Sequence, residues 1–415
     1  MPLRLILANP RGFCAGVRMA IDVVDQTLDV LEGQSVYVYH EIVHNKHVVG
    51  RFRGQGVRFV DDLAEVPEGS IVVFSAHGVS PAVRALADQR RLTWIDATCP
   101  LVTKVHAEAI RYSRQGYQIL LVGHRNHQEV VGTAGEAPDA TQVVESPADI
   151  PCLRINDPDR LVYLTQTTLS TDDAGVIIDA LKRAFPNIKA PPGEDICYAT
   201  TNRQAAVRQI APECDLVIVV GSKNSSNSVR LTEIAANAGT PAYLIDDGSG
   251  LRDEWFVPNA MARLPDVPPI VALGDRCSTP GGTPTGLRGH AKQPAVPAEP
   301  ITVLLTAGAS APEHLVAGVC RELMARFGGT IQTRDIVDED VEFGIPATLK
   351  RLMRERGIDP ASRRIHVTTP VITRETYGAV PLTVSASRGE AHASNGADRA
   401  SGRVPANQRS RTDPA

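Results

Sequence analysis

The segment CPLVTKVHAEAIRYSRQGYQILLVGHRNHQEV, residues 99–130, contains in order a cysteine, a helical pattern, a short apolar strand and a polar cluster. After Cys99, apolar residues recur at spacings of three and four, as they do on the buried face of a helix. The run ILLV has the length and composition of a buried strand. The cluster GHRNHQE follows that strand directly. The segment therefore predicts a helix and a strand, with polar side chains at the strand's carboxyl end.

The same order of features occurs twice more, which indicates an internal repeat. One copy is CAGVRMAIDVVDQTLDVLEGQSVYVYHEIVHN, residues 14–45, and the other is CYATTNRQAAVRQIAPECDLVIVVGSKNSSNS, residues 197–228. The separations between the cysteine and the polar residue after the strand are nearly equal: 30 residues from Cys14 to His44, 28 from Cys99 to His127 and 30 from Cys197 to Asn227.

A second set of strands follows, in VVFSAHGVSP, VYLTQTTLST and VLLTAGASAP. His77, Thr167 and Ser310 lie just past these strands, and a small hydroxyl residue then stands where the next helix should have its N-cap. The chain is therefore expected to be an α/β protein of three similar units with parallel sheets. Ligands bind at the carboxyl ends of parallel strands, so a pseudo-threefold arrangement around one central site is expected. The alternative is three ordinary flavodoxin-like units in a row with unrelated sites.

Bulk properties exclude several classes of protein. The chain has 415 residues, a net charge of −4 and no long basic run before residue 340, so neither nucleic acid nor an anionic membrane surface is an expected partner. No apolar run approaches the ~20 residues of a membrane span, and the N-terminal apolar stretch is too short for a signal peptide. Seven cysteines without a CxxC pair do not form a secreted disulfide framework. A cytoplasmic location is expected.

Three cysteines directed at one point suggest a metal site. Cys14, Cys99 and Cys197 are 85 and 98 residues apart, whereas a structural zinc usually has close ligand pairs and a fourth protein ligand. Electron-transfer iron–sulfur clusters commonly take four cysteines. Three thiolates leave a coordination position open, as a catalytic metal requires. The other four cysteines, Cys152, Cys214, Cys277 and Cys320, fall outside the repeat.

The remaining polar residues at the strand ends are mostly hydrogen-bond donors, which suit an anion such as phosphate. Glu129, two residues after His127, is an exception. It is either a solvated loop glutamate or a proton donor. The candidate donors at these strand ends are His44, His77, His127, Ser225, Ser226, Asn227 and Ser310.

Eight motifs in this order resemble those of the 4-hydroxy-3-methylbut-2-enyl diphosphate reductases, the LytB/IspH family: ANPRGFCAGV, HEIVHN, FSAHGVS, DATCPLVTKVH, TQTTLS, DICYATTNRQ, VVGSKNSSNS and TAGASAP. The resemblance runs from residue 1 to about 347. It implies an oxidoreductase that catalyses the last step of the non-mevalonate (MEP) route to isoprenoids. Such an enzyme removes the allylic hydroxyl of (E)-4-hydroxy-3-methylbut-2-enyl diphosphate with two electrons and two protons, and it yields isopentenyl and dimethylallyl diphosphates.

The resemblance also implies a cofactor and residue roles. A 4Fe-4S cluster with one open iron is expected on Cys14, Cys99 and Cys197. Glu129 matches the residue that delivers a proton, and Thr167 is expected to assist it in catalysis. A ferredoxin or flavodoxin is the expected electron donor. The positions that match substrate contacts are His44, His77, His127, Thr167, Ser225, Ser226, Asn227 and Ser310.

The repeat and the resemblance predict units at residues 14–98, at 99–193, and at 1–13 together with 194–347. A Pro/Gly-rich insertion at about 257–300 interrupts the third unit, and residues 358–415 are expected to be a disordered C-terminal extension. Two alternatives to the reductase remain. One is a non-enzymatic iron–sulfur sensor that binds a diphosphate, and the other is a divergent paralogue that acts on another allylic diphosphate.

Overall fold

The structure is a computed structural model that describes residues 2–256 and 300–362, together with Tyr377 and Leu382–Val384. The predicted insertion lies outside the described residues, apart from its last position, and so does most of the C-terminal extension. Within the described part of the chain, no helix is long and apolar enough to cross a membrane.

The described strands form three parallel sheets with the orders β10-β9-β11-β1-β12-β13, β3-β2-β4-β5 and β7-β6-β8. Central strands such as LVIVV are buried along their whole length, because helices cover both faces of a parallel sheet. The strands are β1 (Leu3–Asn9), β2 (Val36–Tyr39), β3 (Arg58–Val60), β4 (Ile71–Phe74), β5 (Thr93–Asp96), β6 (Gln118–Val122), β7 (Thr141–Val144), β8 (Leu161–Thr165), β9 (Leu216–Val220), β10 (Ala242–Ile245), β11 (Ile301–Ala307), β12 (Gly329–Asp335) and β13 (Leu382–Val384).

The helices connect these strands and begin close to the strand ends. Helices α1, α4 and α7 each start at the residue after a repeated cysteine, so Cys14, Cys99 and Cys197 are their N-caps. The helices are α1 (Ala15–Val30), α2 (Lys46–Gly54), α3 (Pro81–Gln89), α4 (Pro100–Arg114), α5 (Gln128–Glu136), α6 (Thr171–Ala184), α7 (Tyr198–Ile210), α8 (Ser226–Asn237), α9 (Glu313–Phe327) and α10 (Ala347–Glu355).

The predicted fold class is confirmed: three similar α/β units with parallel sheets surround one central cavity in a pseudo-threefold arrangement. Strand β1 lies between β11 and β12, so it belongs to the six-stranded sheet of the third unit.

One predicted helix cap is wrong. Ser80 and Ser170 are the N-caps of α3 and α6, but α9 begins only at Glu313 with Pro312 as its N-cap, and Ser310 instead donates a hydrogen bond to a carbonyl of another unit.

The segment around α10 packs on the first unit, although the sequence had placed its beginning in the third. Ile345, Leu349 and Met353 are buried in the same core as helix α1, and Phe343 and Ile358 pack against it. The apolar spacing of α10 predicts a buried face, but it does not specify which sheet that face covers. The chain therefore crosses from the third unit back to the first after β12.

The expected disorder of residues 358–415 is wrong for the part that the structure describes. Leu382–Val384 pair in parallel with β12. Tyr377 is 1% exposed, its hydroxyl donates to the Glu313 carboxylate, and Arg11 Nη2 donates to that hydroxyl at 3.0 Å. One buried aromatic residue, Tyr377, and one short strand, β13, therefore join the six-stranded sheet and its surroundings.

We predict that Leu349→Ala lowers the free energy of unfolding by about 2–5 kcal/mol, because it removes a fully buried side chain from the core of the first unit. Urea unfolding followed by circular dichroism measures the change. Arg351→Ala on the exposed side of the same helix is the control and should shift stability by less than about 0.5 kcal/mol. Equal unfolding curves for Leu349→Ala and Arg351→Ala would show that α10 does not pack on the first unit.

Candidate active site

One cavity of about 90 Å³ lies where the three units meet. It forms at the carboxyl ends of the strands, because the loops after parallel strands share one edge of each sheet. All of the predicted site residues line this cavity: Cys14, His44, His77, Cys99, His127, Glu129, Thr167, Cys197, Ser225, Ser226, Asn227 and Ser310. Cys152, Cys214 and Cys320 do not line it, and Cys277 lies outside the described residues.

The three thiols of the cavity sit at the positive ends of helix dipoles. Cys14 Sγ accepts the N–H of Val17 at 3.5 Å, and Cys197 Sγ lies 3.2 Å from the hydroxyl of Thr200. A helix N-terminus and its free N–H groups favour a thiolate over a thiol. The three helix ends therefore form a pocket suited to negatively charged sulfur.

Gly16, in the first turn of α1, lets two of these thiols approach one another. A Cβ atom at this position would lie 2.5 Å from Cys99 Sγ and 4.0 Å from Cys14 Sγ. Any side chain would push Cys99 out of the cavity. The absence of a side chain at Gly16 is therefore a local requirement for bringing the first and second units together.

Burial opposes ionisation of two of the three thiols, Cys99 and Cys197. It raises the pKa of Cys197 to about 11, with a further contribution from the nearby Cys14, and it raises the pKa of Cys99 in the same way. Metal binding would then release protons. Among the described residues, no group of three or more His, Cys, Asp or Glu side chains is arranged to hold a single metal ion.

Three histidines form one wall of the cavity. The rings of His44 and His77 stack with centroids 4.1 Å apart, and His127 meets them edge-on at 5.7 and 6.0 Å. His44 Nδ1 donates to the Glu41 carboxylate at 3.2 Å. The wall therefore concentrates three imidazoles, contributed by two units, in one place.

Burial keeps two of these imidazoles neutral. Together with the neighbouring His44 and His124, it lowers the pKa of His127 to about 3, and burial likewise lowers the pKa of His77. His127 is the N-cap of α5, and its Nδ1 accepts the backbone N–H of Glu129 at 3.2 Å. Since an accepting Nδ1 has no proton, the neutral ring carries its proton on Nε2 and keeps one donor.

Glu129 is 2% exposed and its carboxylate accepts the backbone N–H of Thr167. Burial raises the pKa of Glu129 to about 7, against the lowering effect of the Thr167 hydrogen bonds. A carboxylic acid with this pKa is half protonated at neutral pH, which suits a general acid. The solvated-loop interpretation of Glu129 is therefore wrong, because the side chain is enclosed between β8 and α5.

The third unit contributes hydroxyls and an amide that are linked to the other two units. Ser310 Oγ donates to the His44 carbonyl at 2.9 Å and lies 3.2 Å from Ser225 Oγ. Ser226 Oγ donates to the Thr168 carbonyl at 3.0 Å. Asn227 is also held in place, because its Oδ1 accepts the Ala309 N–H at 2.8 Å. Hydrogen bonds therefore hold these groups in place, and they add a polar lining to the cavity beside the histidines.

The cavity is also lined by two hydroxyl residues that sequence reasoning missed, Thr168 and Thr200. Thr200 accepts the Asn227 Nδ2 donor at 3.1 Å and touches the Cys197 thiol. The spacing contained a signal for it, because residues three apart lie on the same face of a helix and Thr200 is three residues after Cys197. Thr168 had no such signal beyond its place next to Thr167.

Comparison with known proteins agrees with this site. The sequence profile of the LytB protein family matches residues 5–324. A 4-hydroxy-3-methylbut-2-enyl diphosphate reductase of Rhodopirellula baltica is 46% identical over 356 residues, 86% of this chain and 98% of that relative. The solved E-1-hydroxy-2-methyl-but-2-enyl-4-diphosphate reductase of Plasmodium falciparum has a TM-score of 0.74 and 35% identity over 86% of this chain and 100% of that one.

A second solved structure is an (E)-4-hydroxy-3-methyl-but-2-enyl diphosphate reductase described as the terminal enzyme of the non-mevalonate pathway. It has a TM-score of 0.51 and 28% identity, over 78% of this chain and 99% of that one. The family profile covers more than half of the chain, and these relatives align over almost their whole length. This chain therefore belongs to the LytB protein family.

Proposed function

We propose that the protein is an iron–sulfur oxidoreductase that converts (E)-4-hydroxy-3-methylbut-2-enyl diphosphate into isopentenyl and dimethylallyl diphosphates. The reaction breaks the allylic C–O bond, consumes two electrons and two protons, and releases water. The observation that carries the proposal is a single cavity with three thiols, an enclosed acid and a wall of anion-binding donors. Relatives with the matching names support the substrate and its place as the last step of the non-mevalonate pathway.

The chemistry of the donor set supports a cluster rather than a single ion. The thiols of Cys14, Cys99 and Cys197 cap three separate helices, yet the described residues contain no ligand group for one metal ion. A 4Fe-4S cluster presents several metal corners to separate thiolates, and three ligands leave one iron open. When bound, this cluster would deliver the two electrons one at a time, and a ferredoxin or flavodoxin is the proposed donor that would reduce it twice per turnover.

The diphosphate occupies the polar walls in this proposal. Neutral His127 donates to the anion from Nε2, and His77 can gain a proton as the anion approaches, because a nearby negative charge favours the charged form of histidine. The hydroxyl of Ser225 and the amide of Asn227 donate to the remaining oxygens. Ser226 and Ser310 can join them only by turning their single hydroxyl protons away from the Thr168 and His44 carbonyls, so the anion would take the place of those contacts between units.

Glu129 protonates the departing oxygen in this proposal. It lies in the cavity that the thiols line, and burial keeps its proton available at neutral pH. Hydroxide is a poor leaving group, and protonation of the oxygen as the bond breaks turns it into water. Thr167 adjoins the acid and either holds the substrate hydroxyl or relays the proton.

Anaerobic purification, an iron and sulfide count, and turnover of the allylic diphosphate with a chemical reductant test the proposal. Loss of substrate with formation of both isoprenoid diphosphates is the expected result. A protein that holds a cluster and binds the diphosphate without turnover would be the sensor. Turnover of a different allylic diphosphate in its place would identify the divergent paralogue.

The ligand assignment predicts that Cys99→Ser loses most of its iron and sulfide, because the softer thiolate is replaced by a hydroxyl that binds iron weakly. Iron and sulfide analysis with the visible absorption of the anaerobic protein measures this. Cys152→Ser is the matched control, since that thiol is exposed and lies outside the cavity, and it should keep a full cluster. A Cys99→Ser protein with wild-type iron content would remove Cys99 from the ligand set.

The acid assignment predicts that Glu129→Gln binds its cluster and substrate but turns over about 10²-fold or more slowly at pH 7, the usual contribution of a positioned acid. In the wild type, kcat/KM should fall as the pH rises through about 7 and above, because kcat/KM reports the free enzyme and only the protonated carboxyl donates. This decline should be absent in Glu129→Gln.

Folding provides the control for this variant. Burial raises the folded-state pKa of Glu129 from 4.5 to about 7, so its ionisation removes stability as the pH rises through that interval. Glu129→Gln has no charge to bury, and at pH 8 its urea midpoint should equal or exceed that of the wild type. Turnover within a few-fold of the wild type would mean that the proton comes from water or from the diphosphate.

A further inference from the structure

A fully buried arginine joins two of the elements that carry the cavity thiols. Arg203 is 1% exposed and lies on α7, six residues after Cys197. Its Nε and Nη2 donate to the Gly12 carbonyl at 3.1 and 2.7 Å, and its Nη1 donates to the Ala199 carbonyl at 3.0 Å. Gly12 is two residues before Cys14. One guanidinium therefore connects the Cys197 helix to the Cys14 loop.

The other side of this guanidinium is held by an acid from a distant part of the chain. Glu339 Oε1 accepts from Arg203 Nη1 at 2.9 Å, and the two side chains are 1% and 7% exposed. The same oxygen accepts from Asn202 Nδ2 at 3.1 Å. The position of Arg203 is therefore determined from its own helix, from the Cys14 loop and from the segment after β12.

Buried ion pairs contribute little net stability, because both charges lose their hydration. The arrangement instead fixes the relative orientation of the groups that it joins, because a planar guanidinium presents several donors at fixed angles. Lysine cannot reproduce that forked set of donors. Arg11 lies in the same loop, but it donates to the Ala8 carbonyl and to the Glu313 carboxylate. Neither of these acceptors belongs to another cysteine-bearing helix. Arg203 links the loop to another cysteine-bearing helix.

We propose that Arg203 is a positioning residue that sets the placement of Cys14 relative to Cys197 and so the geometry of the cluster pocket. The inference rests on the proposed function, in which these thiols hold an iron–sulfur cluster. Residues behind metal ligands usually change metal affinity or activity by about 10- to 100-fold when altered. Arg203→Lys keeps the charge beside Glu339 but loses the forked contact to Gly12.

Arg208 on the same helix offers a matched control. Its Nη2 donates to Thr171 Oγ1 at 2.6 Å and pairs with Asp172 at 2.9 Å, so it also joins α7 to another unit. It lies outside the residues that line the cavity, and its contacts involve no cysteine loop. Arg208→Lys therefore removes a guanidinium contact between α7 and another unit without touching the Cys14 loop.

The test compares anaerobically loaded wild type, Arg203→Lys and Arg208→Lys. We expect Arg203→Lys to show altered g-values in the electron paramagnetic resonance spectrum of the reduced cluster, a shifted reduction potential, and cluster loss to a chelator about 10- to 100-fold faster. Arg208→Lys should match the wild type in all three. The same spectrum, potential and loss rate in both variants would overturn the inference.

A second readout separates this inference from the proposed function. In the metal-free proteins, alkylation of Cys14 by iodoacetamide, followed by peptide mass spectrometry, should be several-fold faster in Arg203→Lys than in Arg208→Lys. If the wild type binds no iron or sulfide, the proposed function fails. Equal alkylation rates in Arg203→Lys and Arg208→Lys would separately reject the positioning role of Arg203. If Arg203→Lys does not fold, Glu339→Gln against Asp172→Asn repeats the comparison, and identical spectra and loss rates would reject the inference.

Discussion

The structure depends on three helix N-termini that meet at one cavity with a cysteine as the cap of each. A helix end directs unpaired N–H groups and partial positive charge at its cap, so three such ends make a place where thiolate sulfur and an anion are both stabilised. The ends can meet only if the three sheets turn their carboxyl edges inward. The contact between Gly16 and Cys99 and the hydrogen bonds from Ser226 and Ser310 hold them in that arrangement.

Desolvation in this cavity acts in opposite directions on its acid and its bases. The same burial raises the pKa of Glu129 to about 7 and lowers the pKa of His127 to about 3. Both groups are thereby moved toward their neutral forms, so about half of the acid retains its proton near pH 7 and the imidazole stays neutral with a donor on Nε2. A nearby anion favours the protonated form of the acid further.

Two pairs of a buried arginine and a glutamate lie next to the loop that carries Cys14. Arg11 and Arg203 approach the Cys14 loop from two directions, each paired with a glutamate that comes from the last part of the third unit. Such pairs specify geometry more than they add stability. The chain after β12 therefore has two structural tasks, because it provides Glu339 for this network and then places α10 on the core of the first unit.

The sequence by itself determined the repeat, one helix and two parallel strands in each unit, and the twelve residues predicted to share the cavity. This was possible because alternation of helix and strand, and the offset from each cysteine to its strand end, are local patterns. Only the tertiary structure decided that Glu129 is enclosed and that Thr200 and Gly16 belong to the site. It also decided that α10 covers the first unit and that Arg203 connects two cysteine elements. These features depend on contacts between residues far apart in the chain, and local spacing contains no information about which distant surface a side chain will meet.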